Sequence, residues 1–202
     1  MSRPLDEKNK IILIGGGGHC HSCIDVIEQE NRFEIIGIID NNKPLTSTVL
    51  GYKVLGNDEG LASLFNDVTF AMITVGQIKT SLFRNDLYHK LLTLGYQLPV
   101  SISPIAYVAK DVCIGMGSMI MHGAIINRSA CIGNNTIINT KALIEHEVKV
   151  GSHCHISTNA VINGACTIGD NTFIGSNAVI VQGVNVPNNS FIKANTLYKG
   201  IA

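Results

Sequence analysis

The sequence predicts two architectures in series: an α/β domain with a small parallel sheet over residues 1–99, then an all-β parallel β-helix over residues 100–202. Three observations carry this. From Ile102 to Ile192 every sixth residue is Ile or Val, without a break. Four places after each of these positions except the last, the residue is small or β-branched, from Ala106 through Cys154 and Cys166 to Ser190. Ahead of the repeat, short apolar runs alternate with helical patterns. A period of six means three short strands per eighteen-residue coil, whereas strand–helix alternation means a parallel sheet covered by helices.

In the first half, Ile11–Ile14 is an apolar run that ends in Gly15–Gly18. Residues 19–30 read as a helix with Ile24, Val26 and Ile27 on its apolar side. Glu34–Ile39 forms a second strand ending at Asp40, and Phe70–Val75 a third ending at Gly76. A second helix follows over Leu82–Leu94. Such β-α-β-α order is that of a Rossmann-type sheet. Cys20 and Cys23 form a C-x-x-C pair beside His19 and His21. It reads either as a metal or redox pair or as small residues near a helix N-terminus, and no second ligand pair lies at suitable spacing.

In the second half, Gly115, Gly133, Gly151, Gly169 and Gly175, or Asn127, Asn139 and Asn163, directly follow the aliphatic residue. They are expected to supply left-handed backbone at the corners. The residue before each aliphatic points outward and sorts into three faces. The first carries Tyr107, Ile125, Leu143, Val161 and Val179; the second Cys113, Cys131, Lys149, Thr167 and Asn185; the third Met119, Ile137, His155, Phe173 and Phe191. Two apolar faces predict a cyclic homotrimer, the first face of one subunit on the third face of the next. The alternative is that helices of the N-terminal domain cover one of them. In the trimer, His146 at one corner and His155 of the neighbour would line a single cleft.

Composition narrows the partners. The chain has 15 Lys+Arg against 15 Asp+Glu and no basic cluster, which argues against nucleic acid or an anionic membrane surface. No apolar run is long enough to span a bilayer, and the N-terminal segment MSRPLDEKNK lacks the apolar stretch of a signal peptide. A cytoplasmic protein with free thiols is expected.

His146 stands between Glu145 and Glu147. Flanking carboxylates can fix an imidazole in one tautomer, which suits a general base near neutral pH; a solvated corner residue is the plainer alternative. The stretch Ile138-Asn139-Thr140-Lys141-Ala142-Leu143-Ile144-Glu145-His146-Glu147, then Val150-Gly151 and His155-Ile156-Ser157, together with Gly15-Gly16-Gly17-Gly18-His19, resembles the NeuD/PglD sugar acetyltransferases. The resemblance implies a left-handed β-helix and acetyl-CoA as co-substrate, with no metal. It further implies a nucleotide-activated amino sugar as acceptor, N-acetylated in surface-glycan synthesis, or alternatively a sialic-acid-type sugar that is O-acetylated. By the same resemblance His146 is the base, Glu147 its partner, and Asn139 a contact near the reacting amine. His155, Gly164 and Gly175 fall to acetyl-CoA. Gly15, Gly17, Gly18, His19, Asp40, Asn41 and Gly76 fall to the nucleotide sugar. Relatives continue into a G-x-P-A-K segment, whereas this sequence ends Tyr198-Lys199-Gly200-Ile201-Ala202, so contacts to the CoA nucleotide end are expected either to be reduced or to come from Lys193 and Lys199.

Three rivals remain at this level. A dehydrogenase is disfavoured because the third glycine of G-x-G-x-x-G falls on Cys20. A zinc hydratase needs converging histidines, and His122 is one corner out of register with His146. A non-enzymatic scaffold is separated from an enzyme by the behaviour of a His146→Ala variant.

Overall fold

The computed structural model describes residues 8–200; the MSRPLDE part of the N-terminal segment and the last two residues lie outside them. In the α/β domain, β1 (Asn9–Ile14), α1 (Gly18–Glu30), β2 (Phe33–Ile39), β3 (Thr48–Val49), β4 (Tyr52–Gly56), α2 (Leu61–Leu64), β5 (Phe70–Ile73) and α3 (Leu82–Thr93) follow in order. The sheet runs β3-β4-β2-β1-β5, parallel except for the β3–β4 hairpin. Strand β1 is buried on both sides. Ile11 and Leu13 pack with Cys20, Cys23, Ile24 and Ile27 of α1, while Ile12 and Ile14 pack with Leu87 and Leu91 of α3. The C-x-x-C pair is therefore core: both cysteines are free and buried, and burial raises both thiols. No cluster able to hold a metal ion occurs among the described residues. None of their helices is long and apolar enough to cross a membrane.

Residues 101–198 wind as two-residue strands stacked into three parallel sheets, in register at eighteen residues. The aliphatic repeat fills the interior, with Ala124, Ala142, Cys154, Ala160 and Cys166 completing it at the corners. The left-handed corner residue lies three places after the aliphatic, not one. Gly117, Gly123, Ser129, Asn135, Lys141, Glu147, His153, Asn159, Ala165, Asn171, Asn177, Gly183, Asn189 and Asn195 all have φ between 52° and 73°.

The glycines directly after the aliphatics answer a different need. A Cβ on Gly133 would lie 2.5 Å from Gly151 C and Ser152 N in the next coil, and one on Gly151 would lie 2.3 Å from Asp170 Oδ1. At this second corner, backbone N–H groups bond side chains one coil on: Asn134 N to Ser152 Oγ at 3.1 Å, Ser152 N to Asp170 Oδ1 at 2.7 Å, Asp170 N to Asn188 Oδ1 at 2.8 Å. The ladder draws the coils too close for a side chain at the adjoining position.

The α/β domain grips the β-helix twice. Helix α1 lies on the first strands of the third face, where Met119 and Met121 join its core. Its Glu30 accepts from Ser101 Oγ at 2.6 Å. Its Asp25 meets His122 Nε2 at 2.7 Å, and His122 Nδ1 meets Ser103 Oγ at 2.6 Å. Helix α3 docks on the left-handed column of the second corner. Arg84 Nε donates to Asn135 O, Tyr88 meets His153 edge-on, and Asn85 Nδ2 donates to Asn171 Oδ1 at 2.7 Å. The third face is thus covered by the chain's own N-terminal domain at Met119, Ile137 and His155, which corrects the expectation that it lies free for a neighbour. Phe191 at its tip and Tyr107 and Ile125 on the first face remain exposed.

Gly133→Ala is expected to destabilise the fold by about 2–3 kcal/mol, because backbone on the facing coil must yield. Gly60→Ala, where a Cβ meets nothing within 4 Å, should leave the denaturation midpoint nearly unchanged. Thermal unfolding of the two variants checks both.

Candidate active site

A cleft of about 440 Å³ opens at the C-terminal ends of β1, β2 and β5, the place where parallel α/β sheets receive ligands. Gly15, Gly17, Gly18, His19, Asp40, Asn41 and Gly76 all line it. Gly15 has φ +101°, and a Cβ there would lie 2.3 Å from Val75 Cγ2, so the turn out of β1 needs glycine. Gly17 caps α1, whose first turn carries no acidic residue, leaving amide N–H groups directed at the cleft.

Asp40 is committed to the loops that shape the cleft. Its Oδ2 accepts from Gly16 N at 2.7 Å and its Oδ1 from Asn42 N at 2.8 Å, which differs from a free acceptor for a nucleoside. Asn41 is likewise paired: its Nδ2 donates to Asp58 Oδ2 at 3.1 Å and its Oδ1 accepts from Asp58 N at 2.9 Å. Asp58, Ile78 and Phe83 join the lining and were not foreseen from sequence.

His19 sits at the base of the cleft against Gly76, where a Cβ would lie 3.3 Å from its own Cβ. Its Nε2 is buried without a hydrogen-bond partner. Burial, aided by the Arg84 and His155 charges, holds this imidazole down to about 3, so it is neutral. His155 lies behind it at 6.4 Å between ring centroids. His155 Nδ1 donates to Gln77 O at 2.5 Å, and Asn139 Nδ2 meets Nε2 at 3.0 Å. His155 is thus a buried, neutral residue at about 4, chiefly through desolvation, and joins the two domains rather than facing outward. His155, expected to meet acetyl-CoA, thus lies behind His19 in this chain.

His146 occupies another edge of the prism. Its Nδ1 lies 3.1 Å from Glu147 Oε2, and its side chain is about half exposed. The flanking Glu145 accepts from Asn127 Nδ2 at 3.0 Å. One coil on from His146 stands Gly164, where a Cβ would lie 2.7 Å from imidazole Cε1 and 2.8 Å from Nε2. The ring therefore lies against bare backbone with Nε2 making no hydrogen bond among the described residues, free to accept a proton if Nδ1 keeps its hydrogen toward Glu147.

The residues expected to meet acetyl-CoA, and Asn139 expected near the reacting amine, do not converge within one chain. Gly164 shares the His146 edge, whereas Asn139, Gly175 and Lys193 follow one another along the edge between the third and first faces. Gly175 is buried, its Cβ position 2.4 Å from Ala194 N, so coil stacking by itself requires glycine there. Lys193 is exposed.

Two neutral buried histidines make folding sensitive to acid. Their folded values lie below the unfolded one of about 6.5, so stability is intact above pH 6.5 and falls as pH drops from there toward 4. The loss should reach on the order of 3 kcal/mol for each histidine near pH 4. Denaturation midpoints measured across this range should fall less steeply in His19→Asn than in the parent protein.

Residues 10–91 match the PglD N-terminal domain family, and residues 166–197 match the hexapeptide repeat of succinyl-transferase. No curated protein matches the sequence significantly. Among solved structures, a histidine-to-asparagine variant of perosamine N-acetyltransferase from Caulobacter crescentus, in complex with CoA and GDP-perosamine, is 27% identical with a TM-score of 0.88; the match covers 96% of this chain and 89% of that one. The acetyltransferase domain of PglB from Neisseria gonorrhoeae, in complex with acetyl coenzyme A, is 26% identical with a TM-score of 0.89, covering 96% and 93%. WeeI from Acinetobacter baumannii, 21% identical with a TM-score of 0.75 over 95% and 97%, shares the fold. The chain thus joins a segment matching the PglD N-terminal domain to a hexapeptide-repeat β-helix, and over nearly its whole length it is similar to two acetyltransferases.

Proposed function

We propose that the protein transfers acetyl from acetyl-CoA to the amino group of a nucleotide-linked 4-amino sugar, in the cytoplasm, as a step in surface-glycan synthesis. The observation that carries this reading is the pairing of a nucleotide-sized cleft at a helix N-terminus with an accessible His146–Glu147 dyad. The two Caulobacter and Neisseria structures support it, with CoA and GDP-perosamine bound in one and acetyl coenzyme A in the other. The amide N–H groups of Gly17 and Gly18 would hold the diphosphate, and neutral His19 would meet the sugar with its unpaired Nε2. The free thiols of all six cysteines suit a reducing compartment.

The amine nitrogen attacks the thioester carbonyl carbon, and His146 Nε2 takes the proton that nitrogen loses. Glu147 accepts the Nδ1 hydrogen and stabilises the imidazolium that forms. Collapse of the tetrahedral intermediate breaks the C–S bond. The imidazolium then returns its proton to the departing sulfur, giving the N-acetyl sugar and free CoA.

His146 and the cleft lie on different edges of one prism, so we assign the complete site to two subunits of a homotrimer. The exposed first face, with Tyr107 and Ile125, supplies the apolar surface for that contact. Asn139 on one chain would lie near the reacting amine, and Lys193 on that chain with Gly164 on the other would border CoA.

His146→Ala should lower the rate of thiol release from acetyl-CoA by about 10²–10⁴-fold across a panel of 4-amino nucleotide sugars; an unchanged rate with every acceptor rejects the base assignment. Glu147→Asn should reduce activity yet raise stability by roughly 0.5–1 kcal/mol, since asparagine tolerates the left-handed corner better than glutamate. Gly17→Glu places a carboxylate where the diphosphate would bind, in space that is open. Mixed assemblies of His146→Ala and Gly17→Glu chains should recover about a quarter of parental activity if each site draws on two subunits. No recovery would put the site within one chain.

A further inference from the structure

Six cysteines divide sharply by environment. Cys20, Cys23, Cys154 and Cys166 are buried, and desolvation raises every one of their thiols, Cys154 to about 12. Cys113 and Cys131 are both exposed. They occupy the same outward position of successive coils on the second face, paired in register as Cys131↔Cys113, with Cys131↔Lys149 next in the same ladder. Register at this position sets their Cα atoms at the strand spacing of about 4.8 Å, inside the range of about 4.4–6.8 Å that a disulfide spans.

The neighbouring Cys131 thiol is the largest influence on Cys113 and raises it, favouring the protonated thiol. Asp111 below, tied to Arg128 Nε at 2.7 Å and to Ser129 at 3.1 Å, acts on Cys113 in the same sense. Cys131 instead lies between the Cys113 thiol and the strand bearing the Lys149 ammonium. The proposed acetyl-transfer chemistry uses neither cysteine, and the second face is the one left open in the proposed trimer.

We propose that Cys113 and Cys131 form a redox-modification site at which a hydroperoxide installs a reversible disulfide between the first two coils of the β-helix. The Cys131 thiolate attacks the peroxide, forming an S–O bond as the O–O bond breaks, and the alkoxide leaves as the alcohol after protonation. The Cys113 sulfur then attacks the Cys131 sulfenic acid. The S–S bond forms, the S–O bond breaks, and the departing hydroxide carries off the Cys113 proton as water. Two thiols lose two electrons and the peroxide gains them. Parallel neighbours hold their Cβ atoms slightly farther apart than a relaxed disulfide prefers, so the bond is a strained one that dithiol reductants reopen.

The experiment uses the folded protein, hydrogen peroxide and mass spectrometry. Cys113 lies in the tryptic peptide 111–128 and Cys131 in 129–141, so a cross-link joins two separate peptides. The expected result is a product lighter by two hydrogens, with these peptides joined and restored by dithiothreitol, while native-state alkylation labels Cys113 and Cys131 ahead of the four buried cysteines. In Cys113→Ser, dimedone should trap a sulfenic acid on Cys131. Oxygen addition at either cysteine without a cross-link, or no reaction at peroxide levels that oxidise free dithiothreitol, overturns the proposal. Cys113→Ser and Cys131→Ser should both keep acetyl transfer, which separates this site from the proposed active site.

Discussion

One backbone contact sets the geometry of the whole C-terminal half. At nearly every corner the left-handed residue donates its N–H to a carbonyl nineteen residues earlier: Glu147 to Arg128 O at 3.0 Å, His153 to Asn134 O at 2.8 Å, Ala165 to His146 O at 2.9 Å. Because this bond forms only when the corner residue has positive φ, each coil turns at the same place and the eighteen-residue register cannot drift. Columns of residues follow. Gly164 stands over His146, Cys131 over Cys113, and the Gly115-Gly133-Gly151-Gly169 column runs up one edge. A left-handed backbone costs about 1–2 kcal/mol for an ordinary side chain, which accounts for asparagine at many corners. Glu147, Lys141 and His153 are exceptions. Glu147 is the partner of His146, and His153 receives α3.

A second constraint joins the two halves. Arg84 is fully buried, and its Nη1 donates to Ile73 O and Val75 O at 2.8 Å each, with Nε toward Asn135 O at 3.4 Å. It has no carboxylate partner among the described residues, and desolvation lowers it only to about 10, so it stays cationic. Dipoles of the strand end hold the charge. A cation in this place works against protonation of every histidine around it, and it contributes to the lowering of His19, His153 and His155. The residue that fastens α3 to the β-helix therefore also keeps the floor of the cleft neutral.

The β-helix was legible because its signal repeats: one aliphatic in six leaves no other period to choose. The glycine-rich turn was legible because only glycine fits Gly15, at φ +101° against Val75. Glycine is ambiguous elsewhere, since it marks both positive φ and close backbone approach. The stacking glycines were consequently read as corner turns, although the asparagines at 159, 171, 177, 189 and 195 already marked the true corners. Strands β3 and β4 and helix α2 were missed because elements of two to five residues carry too little periodicity. Asp58 reaches the cleft only through the pairing with Asn41, and no sequence pattern encodes that contact. His155 looked like an outward residue because face arithmetic treats the prism alone and omits what docks upon it.

That omission changes how the apolar faces are understood. A soluble prism with two apolar sides needs both covered, and here the third side is shared. The α/β domain covers Met119, Ile137 and His155, while Phe173 and Phe191 stack beyond its reach at 5.1 Å between centroids. A neighbour packing its first face against that remaining tip would bury Phe191 together with Tyr107 and Ile125, three large apolar side chains otherwise left about half in water. Such a contact also sets the neighbour's first face, whose far edge bears His146, beside the edge that carries Asn139 and leads toward His19. The same apolar surplus that favours assembly would thereby bring the proposed base, His146, to the side of the prism where a single chain lacks it.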